Sequence, residues 1–423
     1  MNKRTIHLIL IMSFWFTISF ITNILGPLIP DIINNFNLSN LAMAGFIPTS
    51  FFLAYAIMSI PSGILIDKYG EKPVLFCGFL MPLIGSVLFA TIHTYPALLA
   101  SSFIIGLGMA MLQTVINPLQ RTVGGEENYA FIAELAQFVF GVASFVSPLV
   151  YSGLMSRLSP DVYVPGNSII ADALASVTPS DLPWVSLYWI FAALLVLMLI
   201  SVLSSRFPKI ELNDDERGGN KATYMSLFKS GSVWMFFLGI FCYVSTEQGT
   251  SIFMTTFLEK YHGVNPQTDG AFIVSLFWGL MTAGCLVGML LLKLIDSRLL
   301  LKCSGFLTIA LLACAIFGGR SLSSVAFPAI GFSISVMYSI VFSLALNSVP
   351  SNHGSFAGIL CTAIVGGAAG PLIISSIADL TSLRTGMCVI FLFVAYIIFV
   401  AFAARPLVNN KTVTLKQLLG IGK

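Results

Sequence analysis

The chain has 423 residues, of which 57% are hydrophobic and only 9% are charged. Soluble proteins carry about 25% charged residues, so this composition excludes a soluble protein, and most of the chain must face lipid or other apolar helices. The formal net charge of +3 is small, and we expect no nucleic-acid partner.

Twelve apolar runs follow one another along the chain, each long enough for a transmembrane helix of about 20 residues. The first run is too long for a cleavable signal and has no small-residue cleavage site, so we predict a membrane span there. We number the runs spans 1 to 12, and they lie roughly at 6–30, 41–66, 73–93, 96–118, 129–155, 184–205, 232–258, 270–292, 299–318, 323–348, 356–378 and 384–404.

The distribution of Lys and Arg gives the expected orientation. An even number of spans puts both termini on one side of the membrane. With that side taken as the inside, 17 of the 21 Lys and Arg residues lie in inside segments and four lie outside. This is the positive-inside bias, so we predict cytoplasmic termini and a bacterial inner-membrane location.

Two long polar segments interrupt the apolar runs. Residues 156–183 form an outside loop with four prolines, and residues 206–230 form the most charged stretch, between spans 6 and 7. We therefore predict an N-terminal six-helix bundle over 1–205, a cytoplasmic linker over 206–230, a C-terminal six-helix bundle over 231–404 and a cytoplasmic tail over 405–423.

The two predicted bundles carry a weak internal repeat at offsets of 223 to 225 residues. Parallel six-helix repeats with a site between them near the midplane are typical of transporters. The matches are 147–154 with 370–377, Asn23 with Gln248, and Gln113 with Tyr338.

The segment "GILIDKYGEKP" lies in the inside loop after span 2. The spacing G-x-x-x-D-[RK]-x-G-x-[RK] is the signature of the major facilitator superfamily, and it is met here by Gly63, Asp67, Lys68, Gly70 and Lys72. Gly63 allows a close approach of helices, and Asp67 can cap or pair at the contact between the bundles. The alternative is an ordinary tight turn whose lysines set the topology.

Four segments resemble the fucose–proton symporter family within that superfamily. They are "MLQTVINPL" at 111–119, "ELAQ" at 134–137, "YVSTEQG" at 243–249 and the Gly-rich region 341–380. The resemblance implies inward transport of hexoses or deoxyhexoses, usually driven by protons. Asn23 and Gln113 stand where the proton-coupled members resemble each other in having Asp and Glu. Amides hydrogen-bond sugar hydroxyls but do not bind a proton near neutral pH, so we expect sugar contacts there without proton coupling.

Only two acidic residues lie well inside the predicted spans, Glu134 and Glu247. A charge at the bilayer centre costs about 2.5–3.5 kcal/mol or more, so such residues face a wet cavity or a partner. Glu247 shares one helical face with Tyr243 and Ser251, which predicts a cavity lining and coupling to a proton or Na⁺. The alternative is a protonated glutamate buried between helices.

Charged residues at the inside ends of the spans form a predicted gate. Asp67, Lys68, Lys72 and Arg121 cluster there, and we expect them to stabilise the outward-open state. Glu134 lies just over one turn from the inner surface. It either pairs with Arg121 or Lys68 in this gate or takes part in coupling, and both roles stay open.

Polar and aromatic residues within the spans complete the predicted substrate site. Trp278 either stacks on the apolar face of a sugar or packs among its neighbours. No Lys or Arg lies mid-span, which disfavours an anionic substrate. The predicted substrate-binding residues are Asn23, Gln113, Gln137, Glu247, Gln248, Trp278 and Tyr338.

No cofactor and no metal are expected beyond a coupling proton or Na⁺. The seven Cys lie in or beside apolar runs without C-x-x-C spacing, and the four His fall near span ends. We predict an all-α integral membrane protein with the twelve-helix major facilitator fold. It is expected to be a monomeric, non-enzymatic, cation-coupled monosaccharide transporter. A sugar uniporter stays open, as does a facilitator for another small neutral or cationic solute, including a drug exporter.

Overall fold

The computed structural model describes residues 3–124, 129–160, 163–166, 168–205, 221–349 and 353–406. In these ranges the chain is helical and contains no strand. Helices α1 to α17 are Lys3–Thr22, Leu25–Asn35, Leu41–Tyr69, Glu71–Thr91, Tyr95–Gly124, Tyr129–Leu158, Ile169–Val177, Ser186–Ser204, Lys221–Phe228, Gly231–His262, Ala271–Leu294, Ser297–Phe317, Arg320–Ile334, Met337–Leu346, His353–Thr362, Gly366–Leu380 and Leu383–Ala403. Short 3-10 segments cover Pro183–Val185 and Ala363–Val365, and a π-helical turn covers Pro266–Gly270.

Twelve membrane spans can be counted in the described part of the chain. Eleven are long and apolar enough to cross a bilayer by length and composition. The twelfth is α10, which has 32 residues but carries polar residues through its middle, at 245–251. Three spans consist of two helices each: α1 with α2, α13 with α14, and α15 with α16. The predicted all-α, twelve-span architecture is confirmed.

The first six spans and the last six meet mainly along three pairs of helices. Across this boundary α2 lies on α10, α3 lies on α16 and α6 lies on α11, with smaller contacts of α3 with α15 and of α2 with α11. Because the number of spans is even, α1 begins and α17 ends at the same side of the bundle. We call this side the terminal face and the other side the opposite face.

Two glycines allow the halves to approach closely. A Cβ added at Gly26 would collide with the carbonyl oxygen of Ser251, and one added at Gly141 would collide with Thr282. The Thr255 hydroxyl also donates to the carbonyl oxygen of Gly26 at 2.7 Å. Gly26 and Ser251 are 225 positions apart, which is an offset of the proposed repeat, so equivalent residues of the halves meet here.

Helix α10 ends sharply at the opposite face. Gly263 has φ of 61°, in the left-handed region that favours glycine, and its N–H donates to the carbonyl oxygen of Glu259. The side-chain oxygen of Asn265 then accepts the backbone N–H of Gln267 at 2.8 Å. This turn places Gln267 beside the end of α2, where it contacts the first half.

The structure differs from the sequence prediction at several segment ends. Span 1 continues through α2 to Asn35 rather than ending near residue 30. The outside loop 156–183 contains a helix of its own, α7, which packs on α6 and α8. In the predicted linker and tail, residues 206–220 and 407–423 lie outside the described residues.

Candidate substrate and coupling site

Glu247 is the accessible residue in an otherwise buried stretch of α10. Every other residue from 242 to 258 is buried, whereas Glu247 is half-buried. Its carboxylate accepts a hydrogen bond from the Gln248 side-chain amide at 2.9 Å and another from the Tyr243 hydroxyl. The sequence interpretation that Glu247 faces an accessible space is therefore compatible with its burial pattern.

Aromatic side chains from a second helix complete this cluster. The rings of Tyr243 and Tyr338 lie 5.6 Å apart, and Phe342 follows Tyr338 at 5.7 Å. Cys285 of α11 lies near Tyr243, and Cys361 of α15 lies near Tyr338. Helices α10 and α14 thus supply the side chains of this cluster, and α11 and α15 lie beside its tyrosines.

The chemistry of this cluster suits a small polar ligand and a cation. Aromatic rings pack against the C–H surface of a hydroxylated ring, while a carboxylate and an amide exchange hydrogen bonds with its hydroxyls. The contacts described for Glu247 include no cationic side chain, so a proton or Na⁺ can neutralise it. In the described part of the chain, no group of three or more His, Cys, Asp or Glu could hold a metal ion.

Asn23 lies at the break between α1 and α2 and is only 6% exposed. Its amide donates to the Ser144 hydroxyl at 2.8 Å and to the Ser19 hydroxyl at 3.4 Å. The two serine hydroxyls are 2.6 Å apart. This network joins α1 to α6 inside the first half, so a substrate contact by Asn23 stays a prediction that requires the network to open.

Gln113 and Gln137 are the other predicted ligands from the first half. Gln113 of α5 is half-buried and Gln137 of α6 is exposed. Gln137 lies one turn before Gly141 on α6, on the helix face that meets α11. On α3, Gly63 has no atom within 4 Å of the place where a Cβ would lie. Gln137 is therefore accessible beside the contact between the halves, and the close helix contact expected at Gly63 is not found among the described residues.

Gln248 and Trp278 are buried in this conformation. Gln248 is 6% exposed and holds Glu247, and Trp278 is 3% exposed. The indole N–H of Trp278 has no hydrogen-bond partner, and its ring meets Phe277 edge-on at 5.2 Å. The structure therefore brings Glu247, Gln248 and Tyr338 to one cluster and leaves Trp278 in the packed interior.

The predicted gate is only partly visible. Lys72 donates to the carbonyl oxygens of Leu203 and Ser205, each at 2.8 Å, and so caps the end of α8 within the first half. Lys68 is exposed, and its ammonium lies 5.1 Å from the ring centre of Tyr69. The side chains of the remaining predicted gate and coupling residues, Asp67, Arg121 and Glu134, lie outside the described residues.

Asp31 is a buried acid that the sequence prediction overlooks, because span 1 was expected to end one residue earlier. It is 8% exposed and accepts hydrogen bonds from Tyr151 at 2.5 Å and from Gln267 at 2.9 Å. The signal was available: apolar residues continue past Asp31 as "II" at 32–33.

Comparison with known proteins gives the family. The profile of the Major Facilitator Superfamily matches residues 11–364. The chain belongs to this superfamily. A "Glucose/galactose transporter" of Brucella abortus is 30% identical to this facilitator over 399 residues, covering 91% of this chain and 90% of the relative. The "L-fucose-proton symporter" of Escherichia coli is 24% identical over 381 residues, covering 85% and 83%.

A solved structure shares the fold of this facilitator. It is a bacterial homologue of the human lysosomal transporter Spinster, inward-facing and occupied. Its TM-score is 0.79 at 15% identity, covering 96% of this chain and 98% of that chain. The predicted superfamily and fold are confirmed, and the facilitator is a multi-pass membrane transport protein rather than an enzyme.

Proposed function

We propose that this facilitator moves a monosaccharide, a hexose or deoxyhexose, across the bacterial inner membrane by alternating access. It does so in symport with a cation that binds at Glu247, and its terminal face is cytoplasmic. The observation that carries the proposal is that Glu247 is only half-buried, whereas every other residue of the stretch 242–258 of α10 is buried.

The substrate class is supported by the chemistry of the site and by the relatives. The cluster of Tyr243, Glu247, Gln248 and Tyr338 offers hydrogen bonds and aromatic surface without a Lys or Arg. A neutral hydroxylated ring matches these groups better than an anion does. The relatives from Brucella abortus and Escherichia coli carry names of glucose, galactose and fucose carriers.

The coupling role is supported by the cost of a charge near the bilayer centre. An ionised Glu247 attracts a proton or Na⁺, and the neutral, loaded site is less costly to close and reorient. Once neutral through protonation, the carboxyl donates a hydrogen bond to the substrate. Asn23 and Gln113, as amides, cannot take over this role.

A sugar uniporter is the second candidate. It is favoured by the two hydrogen bonds that Glu247 already accepts from Tyr243 and Gln248. In a uniporter, a carboxylate held by these bonds would orient the sugar and would bind no cation. A uniporter would show uptake that is independent of pH and Na⁺, even in the unmodified protein.

The test begins with a panel of monosaccharides in a thermal-shift assay on purified protein. A lipophilic cation is included in the panel to test the alternative of a drug exporter. Counterflow and concentrative uptake of the stabilising sugar are then measured in proteoliposomes under proton or Na⁺ gradients. Glu247→Gln should abolish concentrative uptake and keep counterflow. Asp181→Asn, at an exposed acid ahead of α8, is the control and should retain both. Stabilisation by the lipophilic cation alone would contradict the sugar assignment.

A further inference from the structure

Helix α3 of the first half is capped by a carboxylate from the second half. Asp379, at the end of α16, accepts the backbone N–H of Leu41 at 2.6 Å with one oxygen and that of Ala42 at 2.7 Å with the other. Leu41 and Ala42 lie 338 and 337 positions from Asp379 in the chain. This contact therefore exists only while the two halves touch.

This arrangement replaces a cap that α3 does not make for itself. The first N–H groups of a helix have no partner within the helix, and a side chain just before the helix usually accepts them. Asn40 occupies that position with extended backbone angles but makes no side-chain hydrogen bond to the helix. A carboxylate is also favoured at a helix N-terminus by the helix dipole.

A reciprocal contact runs from the first half to the second. Asp31 of α2 accepts the side-chain amide of Gln267, which precedes α11, at 2.9 Å. Tyr151, from its own half, occupies the other oxygen. Each half thus presents one carboxylate to neutral hydrogen-bond donors of the other half.

The surrounding helices pack tightly at the same level. The Thr49 hydroxyl of α3 donates to the carbonyl oxygen of Ala368 on α16 at 3.0 Å. A Cβ added at Gly45 of α3 would collide with Ser375, whose side chain is fully buried. The opposite face is therefore closed, and both carboxylates lie where the halves must separate if that face opens.

We propose that Asp379 and Asp31 are gate residues of the opposite face, acting as reciprocal latches between the halves. Asp379 supplies the N-cap of α3, and opening of the opposite face removes this cap. This proposal concerns closure of the opposite face and not the substrate. It can therefore be tested independently of the proposed sugar and of the proposed coupling.

Closure can be measured with a reporter at the buried contact. Ser375→Cys is introduced, and its reaction with a maleimide is followed on purified protein in detergent, with the chain lacking this cysteine as background. Asp379→Asn should speed labelling several-fold. Each carboxylate oxygen of Asp379 accepts one backbone N–H, and the variant replaces one oxygen with an NH₂ group that cannot accept and removes the negative charge favoured at a helix N-terminus. Asp181→Asn, an exposed acid of the first half, is the control and should label at the parent rate.

A second variant tests the cap itself without removing a latch residue. Asn40→Asp gives α3 an N-cap of its own that competes for the same N–H groups, so labelling should again be several-fold faster. This variant also decides the question if Asp379→Asn fails to fold. Parent-rate labelling of a correctly folded Asp379→Asn, or of Asn40→Asp, overturns the proposal.

Discussion

The break in span 1 and the middle of α10 are related by the proposed repeat, which pairs Asn23 with Gln248, yet the two regions differ in chemistry. Asn23 is sealed by two serine hydroxyls between α1 and α6. Neighbouring Glu247 stays accessible beside Tyr338. Neutral groups that satisfy one another are inexpensive to bury between membrane helices, whereas a carboxylate needs water, a cation or a partner. The first-half cluster therefore joins helices to each other, whereas the second-half cluster holds the acid for which we propose a coupling role.

The largest effect on this comparison of the two halves is expected at Gln113, because a sugar contact by Gln113 would make the first half part of the substrate site. Gln113→Ala should weaken sugar binding by about 1–3 kcal/mol, since a polar group of the bound sugar loses its partner. Isothermal titration with the stabilising sugar measures it. Thr114→Ala, whose hydroxyl bonds within its own helix, is the control. Unchanged affinity in Gln113→Ala would remove Gln113 from the site.

Removing Asn23 should affect stability more than coupling. Asn23→Ala deletes the amide that bonds Ser144 and Ser19, and such interhelical bonds contribute about 0.6–1.7 kcal/mol in membrane proteins. A lower melting temperature with a preserved ion dependence of uptake is expected. Ser13→Ala in α1, which loses only a bond to Ile9 of its own helix, should melt near the parent. Loss of ion dependence in Asn23→Ala would place coupling in the first half as well.

The smallest effect is expected at Trp278. Its ring is buried and its indole N–H has no partner, so Trp278→Phe removes no hydrogen bond and retains an aromatic ring. Sugar affinity should change by less than about 0.5 kcal/mol, within the range of substitutions that touch no key contact. The same titration measures it. A tenfold loss would support sugar stacking by Trp278.

The sequence predicts the spans well because apolar length is a local property. It also indicates Glu247 as a candidate, since an acid within an apolar run is conspicuous without any structure. The fold prediction needed the twelve runs together with the signature segment 63–72, the internal repeat and the family resemblance. The polar middle of α10 is visible in the sequence by the same local signal.

Tertiary partners could not be predicted in this way. Ser144 lies 121 positions from Asn23, and Gln267 lies 236 positions from Asp31, so no local pattern connects them. The capping of α3 by Asp379 could not be predicted for the same reason, because Asp379 lies 338 positions from Leu41. These contacts arise only when the two bundles pack against each other.

Sugar-induced ion movement tests most directly whether Glu247 binds the coupling cation. Proteoliposomes are loaded with a pH-sensitive dye, or incubated with radioactive Na⁺, and the stabilising sugar is added outside without an imposed ion gradient. Cation entry with the sugar is expected in the unmodified protein, and none is expected in Glu247→Gln, which still performs counterflow. Sugar-induced cation entry that persists in Glu247→Gln would contradict a coupling role of Glu247.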